Sequence, residues 1–236
     1  MAAKEYLKLL GIDVSPFAIG VHMALVMKGV NYEYIAEDLS NKSELLVSSN
    51  PVHKNVPVLI HSGNPICESL VIVQYVDEFF TGAGVPSILP ADPYERAIAR
   101  FWAAYVDDKF FPAMAGIVLV PTEQKRVQKV KETSAAIELL EEAFTVCSKG
   151  KAFFSGDSIG YVDLALGSLL IWIETIRRMC GLEIISASKT PRLAAWAERF
   201  GETAAAKKVV PEADQALQYG KKLQAAVSAA ATSKSK

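Results

Sequence analysis

Cysteine is scarce in this chain: three in 236 residues, Cys67, Cys147 and Cys180, widely spaced and with no Cys-x-x-Cys pair. An odd, scattered set gives neither a disulfide framework nor a zinc-ligand spacing, and reduced thiols in a reducing compartment fit it best. Charge of one sign is also lacking, since 25 Lys plus Arg stand against 26 Asp plus Glu for a net of −1. That balance argues against a nucleic-acid partner. It leaves a small anionic ligand open, because one local pocket does not register in a global sum. Long hydrophobic runs are missing too: the longest, Leu164 to Ile173, falls far short of the ~20 residues of a membrane span. The start, Met1 to Glu5 followed by the short run Tyr6 to Ile12, makes a poor signal peptide. The final Lys-Ser-Lys is not the Ser-Lys-Leu peroxisomal address. The expectation is a cytoplasmic protein with no membrane or nucleic-acid partner. The three histidines, His22, His53 and His61, are scattered, and no metal site is expected.

Apolar residues make up 51% of the chain, enough for a full core. The first eighty residues change type repeatedly. Tyr6 to Ile12 reads as a buried strand, broken by Val14-Ser15-Pro16. Phe17, Val21, Ala24, Leu25 and Lys28 then recur at helical spacing up to Gly29. Tyr32 to Ala36 is a second strand, and Ser43 to Ser49 a short helix or loop. Val58 to Ile60 and Pro65 to Cys67 flank a hairpin turn at His61-Ser-Gly-Asn64, and Glu68 to Phe80 is helical. The order β-α-β-α-β-β-α implies a mixed sheet with helices against it. Residues 81–92 hold two glycines and two prolines and read as a linker. Residues 93–236 read as all helix. Ile98, Phe101, Trp102 and Tyr105 share one face, and Ile137, Leu140, Phe144 and Cys147 another. Val162 to Ile173, apolar on nearly all sides apart from Asp163, is expected as one buried central helix. Gly160 is its N-cap, Asp163 at N3 reaches back to free N–H groups, and Ile159 and Leu164 form a staple. Ala225 to Lys236, rich in Ala, Ser and Lys, is expected to fray.

Three segments carry chemistry-bearing residues. Ser15 lies where a strand ends and a helix begins, with Pro16 suited to the first helical turn. Taken alone it is an ordinary capping serine. In Asn50 to Ile60, Val56-Pro57 precedes a strand. X–Pro bonds are cis in only about 5–6% of folded cases, so general statistics argue for trans. Lys54 beside it is either a ligand-facing cation or a solvated loop lysine. Glu68-Ser69 opens a helix directly after a strand, where the helix N-terminus favours a carboxylate and Glu68 an ammonium. An acidic first turn with a serine cap would look the same.

Together these segments resemble a tau-class glutathione transferase of plants. The matching stretches are Ser15-Pro-Phe17, Lys28-Gly-Val-Asn-Tyr-Glu33, Glu37-Asp-Leu-Ser-Asn-Lys-Ser43, Asn50-Pro-Val-His-Lys54, Pro57-Val-Leu59, Glu68-Ser69, Leu89-Pro-Ala-Asp-Pro-Tyr94, Arg100-Phe-Trp102 and Gly160-Tyr-Val-Asp163. Each is weak alone; their order and spacing over residues 6–220 are specific. The resemblance implies a thioredoxin-like βαβαββα domain (residues 1–80) that binds glutathione, and a helical bundle (residues 93–236) that forms a hydrophobic substrate site. It implies that Ser15 is the catalytic hydroxyl and that Lys42 and Lys54 face the glycine carboxylate. Val56, next to a cis Pro57, would pair with the cysteinyl backbone, and Glu68 and Ser69 would hold the γ-glutamyl end. Glutathione is then a co-substrate, with no separate cofactor, and a homodimer is implied, with Glu78 and Arg96 placed for a cross-subunit pair.

The expected reaction joins the glutathione thiolate to a small hydrophobic electrophile, with accessory peroxide reduction and a detoxifying role. Ser15 would donate to the sulfur rather than attack. Phe17, Phe111 and Trp172 are the candidate walls for the electrophile. Two residues depart from the family pattern: Asp13 where an aromatic is usual, and Gly20 where an arginine is usual. A carboxylate facing the sulfur would raise the thiol pKa, and an arginine restored at position 20 is expected to raise the rate. These departures keep open a non-catalytic carrier of small hydrophobic or anionic ligands. A thiol-transfer enzyme working through Cys67, next to a helix start, is a further alternative.

Overall fold

In the computed structural model, which describes residues 6–233, the chain begins with a four-stranded mixed sheet. The strands β1 (Leu7–Gly11), β2 (Glu33–Ala36), β3 (Val58–His61) and β4 (Asn64–Cys67) lie in the order β2-β1-β3-β4. β1 and β2 are parallel, and β3 runs antiparallel to both β1 and β4. Side chains alternate across this sheet with period two. Leu7, Leu9 and Leu59 enter the main core, while Leu10, Val58 and Ile60 join Leu46 in a small core on the other face.

Two helices cover the main face: α1 (Pro16–Met27) and α3 (Ser69–Phe79). The short α2 (Glu44–Ser49) supplies Leu46 to the other face, with Ser43 as its N-cap accepting from the Leu46 N–H at 3.0 Å. α3 begins at Ser69, and Glu68 rather than a serine is its N-cap.

A buried ion pair holds the end of this unit. Lys28, at the C-cap of α1, places Nζ 2.7 Å from Asp77 Oδ1 on α3, with side-chain exposures of 2% and 7%. The same ammonium donates to the Pro86 carbonyl at 2.8 Å. Asp77 accepts in turn from the N–H groups of Ile88 at 2.8 Å and Leu89 at 2.9 Å. The connection between the two halves of the chain is thus bonded to the first half by its backbone.

The remaining helices are α4 (Pro93–Tyr105), α5 (Phe111–Leu119), α6 (Glu123–Ser148), α7 (Tyr161–Gly167), α8 (Leu170–Cys180), α9 (Pro191–Gly201), α10 (Ala204–Val209) and α11 (Ala213–Ser233). A π-helical turn, Val106–Phe110, joins α4 to α5. Asp163 is fully buried and organises the centre. It accepts from Gly160 N at 2.9 Å, which completes the expected cap of α7. It also accepts from Phe154 N at 2.9 Å, Ser155 N at 3.4 Å and Trp196 Nε1 at 2.8 Å. Glu141 on α6 caps α9 from a distance, accepting from Arg192 N and Leu193 N at 2.9 and 2.8 Å.

Three expectations are corrected. The central helix is two helices, broken at Ser168-Leu169. A Cβ at Gly167 would lie 2.1 Å from the Phe200 ring, so the chain turns where α9 packs onto it. The Ser168 hydroxyl bonds the Ala165 carbonyl at 3.0 Å, a local bond that competes with helix continuation. The C-terminal segment is helical to Ser233, since it is built largely of the good helix former alanine; residues 234–236 lie outside the described residues. On α4, the side turned inward carries Ala99 and Ala103, continued by Val106 and Phe110, while Phe101 is 59% exposed. Trp102 and Tyr105 are partly buried and pack against the core, so the expected face turns inward only in part.

Replacing Lys28 by Met leaves Asp77 buried without its counter-ion. The expected cost is about 3–5 kcal/mol, read as a lower urea midpoint with an unchanged m-value. A midpoint within experimental scatter of the parent would show that the backbone donors alone satisfy Asp77.

Candidate functional site

Strand register gathers the candidate residues at one end of the sheet. Gly11 at the end of β1 pairs with Ala36 at the end of β2. Leu10 pairs with Val58 at the start of β3, and Val58 with Cys67 at the end of β4. The segments that follow or precede these four positions carry Ser15, Lys42, Lys54, Val56, Pro57, Glu68 and Ser69. One edge therefore receives all of them, although they span more than fifty residues of chain.

Ser15 is the N-cap of α1. Its extended backbone (φ −73°, ψ 118°) turns the hydroxyl back over the first turn, where Oγ accepts from Ala18 N at 3.4 Å. Pro16 follows at the first helical position and supplies no N–H. The Ser15 O–H has no acceptor among the described residues. Trp172, on α8, donates from Nε1 to the carbonyl of Val14 at 2.8 Å and so holds the turn that carries Ser15. Phe17 meets Phe111 edge-on, ring centroids 4.8 Å apart, across the two halves of the molecule.

On the neighbouring loops, Ser43 Oγ donates to Glu37 at 2.6 Å, which fixes the segment containing Lys42. Asn50 is buried and ties down the next loop: its amide donates to Asn55 O at 3.0 Å and its side-chain oxygen accepts from His53 N at 3.1 Å. Lys54 stands in the left-handed region at φ 53°, and the Val56–Pro57 bond is cis. Lys42 and Lys54 are exposed and have no ion-pair partner among the described residues. Glu68 is also left-handed, at φ 71°. A non-glycine residue there costs of order 1 kcal/mol or more and is held by its surroundings. Its carboxylate lies 3.7 Å from His53 Nε2, both exposed.

Between the two halves a narrow cleft of about 20 Å³ is lined by Phe17, Gly20, Ser69, Asp107, Tyr161 and Ser168, among others. It has room for about one water. Asp107, on the π-helical turn, is a member that the sequence reading missed. Burial, then Asp108 and Glu68, push its carboxyl up to about 7. The available signal was an acidic pair, Asp107-Asp108, inside a stretch otherwise flanked by apolar positions. Tyr161 also went unnoticed: its hydroxyl donates to Leu70 O at 2.9 Å and accepts from Gln74 at 2.9 Å.

Other candidates stand apart. Trp172 does not line the cleft. Gly20 is buried against α7, where an added Cβ would meet Leu164 O at 3.6 Å and Ser168 Oγ at 3.9 Å. That leaves room for a methyl group on the α7 side, and Gly20 also lines the cleft. Asp13 is exposed and does not line the cleft. Cys67 is pushed up by burial and by Glu68, which opposes its use as a nucleophile. His61 is buried and bonds Tyr75 through Nδ1 at 2.6 Å. Glu78 lies 4.0 Å from Arg100 of its own chain. No group of His, Cys, Asp and Glu suited to a metal occurs among the described residues.

Family models for the glutathione S-transferase N-terminal and C-terminal domains match residues 5–78 and 106–202. A probable glutathione S-transferase of Oryza sativa subsp. japonica is 53% identical over 93% of this chain and 94% of its own. A glutathione S-transferase of Arabidopsis thaliana is 44% identical over 94% of this chain and 97% of its own. The crystal structure of a tau-class glutathione S-transferase from mango superposes with a TM-score of 0.87 at 45% identity, covering 92% of this chain and 98% of that one. A rice enzyme solved in complex with glutathione superposes at 0.84 with 36% identity, covering 94% and 98%.

The raised pKa of Asp107 has a measurable consequence. An aspartate's ordinary value is 3.8, against about 7 here. In between, the folded chain holds a proton that the unfolded chain has lost. This contribution to stability is complete below about pH 4 and lost as pH rises through about 7. Urea midpoints across that range should decline in the parent relative to Asp107→Asn. Parallel profiles would show that Asp107 titrates normally.

Proposed function

The chain belongs to the tau class of the glutathione S-transferase family, and we propose that it conjugates glutathione to apolar electrophiles with Ser15 holding the thiolate. The observation that carries this reading is the Ser15 hydroxyl: it caps α1, its own proton is uncommitted, and it shares one sheet edge with two unpaired cations and the start of α3. A free thiol with pKa ~8.5 is mostly protonated at neutral pH, and the thiolate is the nucleophile. A hydrogen bond from Ser15 Oγ to the sulfur and the positive end of α1 both favour the thiolate. The thiol proton leaves to water. The sulfur lone pair forms the C–S bond, and the leaving group departs with the electron pair of the broken bond.

Glutathione carries two carboxylates and one ammonium. Lys42 and Lys54 offer cations to the glycine carboxylate, and the Val56 backbone, beside Pro57, is available to the cysteinyl unit. Glu68 and the N-terminal turn at Ser69 offer a carboxylate and free amides to the γ-glutamyl end. No separate cofactor enters this scheme. The cleft is too narrow for an aromatic electrophile, so the electrophile would lie at its mouth, against Phe17 and Phe111. Trp172 then serves by holding Val14 rather than as a wall. Reduction of peroxides by the same thiolate is a secondary activity of this reading. A cytoplasmic location fits three partly buried thiols whose pKa values burial raises, and no described helix is long and apolar enough to cross a membrane.

The carrier alternative is not favoured, because the similar proteins are named transferases and Gly20 packs against α7. A homodimer is part of the proposal: Phe101 is 59% and Phe79 46% exposed, with Val71 and Tyr94 also uncovered, on the α3 and α4 side of the chain. Large apolar residues left open on neighbouring elements fit a subunit interface.

Two measurements test this reading. In conjugation of glutathione to a chloronitroaromatic acceptor, Ser15→Ala should lose about 2 kcal/mol or more of transition-state stabilisation in kcat/KM. Turnover equal to the parent's would remove Ser15 from the chemistry, and a parent that binds glutathione without turnover would revive the carrier. In light scattering the parent should have the mass of two chains and Phe101→Asp that of one. A monomeric parent would refute the dimer.

A further inference from the structure

The hydroxyl of Tyr161 stands in a chain of hydrogen bonds whose direction is fixed at one end. Arg100, on α4, donates from Nε to Gln74 Oε1 at 2.7 Å. A guanidinium has donors only, so Gln74 turns its oxygen to Arg100 and its amide nitrogen the other way. That nitrogen donates to the Tyr161 oxygen at 2.9 Å and reaches the Leu70 carbonyl only at 3.4 Å. The Tyr161 proton is thereby directed away from Gln74, and it goes to the Leu70 carbonyl at 2.9 Å. Burial pushes the pKa of this hydroxyl above its ordinary value, so it keeps the proton at neutral pH. Tyr161 is itself fixed at the start of α7: its ring is buried and its N–H donates to the Ile88 carbonyl at 3.0 Å.

Leu70 lies in the first turn of α3, one residue after Ser69. This helix start has little support of its own. Its N-cap, Glu68, stands at φ 71° and makes no side-chain cap. Backbone in that region has to be held by its surroundings. The N–H groups of Ser69, Leu70 and Val71 precede the first intrahelical bond, from Ile72 N to the Glu68 carbonyl at 2.8 Å, and have no acceptor among the described residues. The bond from Tyr161 ties this turn to the helical half of the chain, from 91 residues away. A carbonyl oxygen has two lone pairs, so Leu70 accepts it without losing its place in the helix. Ser69, Leu70 and Tyr161 line the same cleft.

We propose that Tyr161 is a positioning residue for glutathione: through the Leu70 carbonyl it holds the free amides of the α3 turn in place for the α-carboxylate of the γ-glutamyl end. This rests on the reading of the chain as a glutathione transferase with that end of the ligand at Ser69. Gln74 and Arg100 act one step further out, by setting where the Tyr161 proton points. Hydrogen bonds to a carboxylate are short and directional, so a shift of the turn weakens several of them together. The effect falls on recognition of that carboxylate and not on the sulfur at Ser15.

The test is isothermal calorimetry on the full-length chain with S-hexylglutathione and with the S-hexyl derivative of 4-aminobutyryl-cysteinylglycine, which lacks only the α-carboxylate. Tyr161→Phe keeps the ring and removes the hydroxyl. It should weaken the first ligand about tenfold and the second by less than about twofold. Gln74→Glu still accepts from Arg100 but offers Tyr161 an acceptor in place of a donor, which draws the proton off Leu70. The same pattern is expected there. Equal weakening of both ligands would reveal a general loosening and overturn the proposal, as would an unchanged affinity for S-hexylglutathione in either variant. A parent that does not bind S-hexylglutathione would overturn the underlying reading and this inference together. The titration involves no chemistry at the sulfur, so its result stands whatever the conjugation assay returns.

Discussion

The salt bridge between Lys28 and Asp77 is the constraint on which the rest of the molecule hangs. An ion pair this deeply buried is a weak source of net stability, because desolvation offsets most of the attraction. Its effect is on arrangement. Asp77 binds Ile88 N and Leu89 N, and the Ile88 carbonyl accepts from Tyr161 N at 3.0 Å, at the start of α7. Tyr161 follows Gly160, whose N–H is held by Asp163, and Asp163 also holds Trp196 on α9. A continuous line of polar contacts thus runs from the end of α1, through the connecting segment, to the centre of the helical half. Each buried polar group along it is satisfied by another, which removes alternative packings that would leave one unpaired.

That arrangement places Ser15, the proposed thiolate residue, at a junction. Ser15 belongs to the first half of the chain, but the turn that carries it is held from α8 by Trp172, and the adjoining cleft is walled by α7 and the π-helical turn. The π-turn inserts an extra residue into a helix, a feature frequent at functional sites. Here it sets Asp107 into the cleft beside Ser69. The sheet-edge loops are fixed by their own short-range bonds, Ser43 to Glu37 and Asn50 to Asn55, so that Lys42 and Lys54 project from anchored backbone. Preorganised charge of this kind acts without reorganisation when a charged ligand arrives.

Helix α1 gathers these relations in twelve residues. Its N-terminus carries Ser15, its C-terminus Lys28, one face the cleft and the opposite face a second cavity. Its apolar residues run almost all the way round, as expected for a helix enclosed on every side. The two departures from the family pattern, Asp13 and Gly20, fall beside different faces of it.

Much of the architecture was legible in the residues. Alternating and helical periodicities, the breaks at Val14-Ser15-Pro16 and at the hairpin, and the Gly160 to Asp163 cap all act over a few residues, so local pattern determines them. Ser15's place at a strand-to-helix junction follows from the same local signals. Family likeness across many short motifs added the roles expected at the sheet edge. Other features depended on which distant surface meets a given face. Gly20 is buried because α7 lies on it, and Phe101 is open because α4 presents its alanines to the bundle. The apparent single helix after Gly160 breaks because Phe200 packs where Gly167 has no side chain. Periodicity in the sequence determines which residues share a face; what that face meets is decided by contacts between segments far apart in the chain, and these exist only in the folded structure.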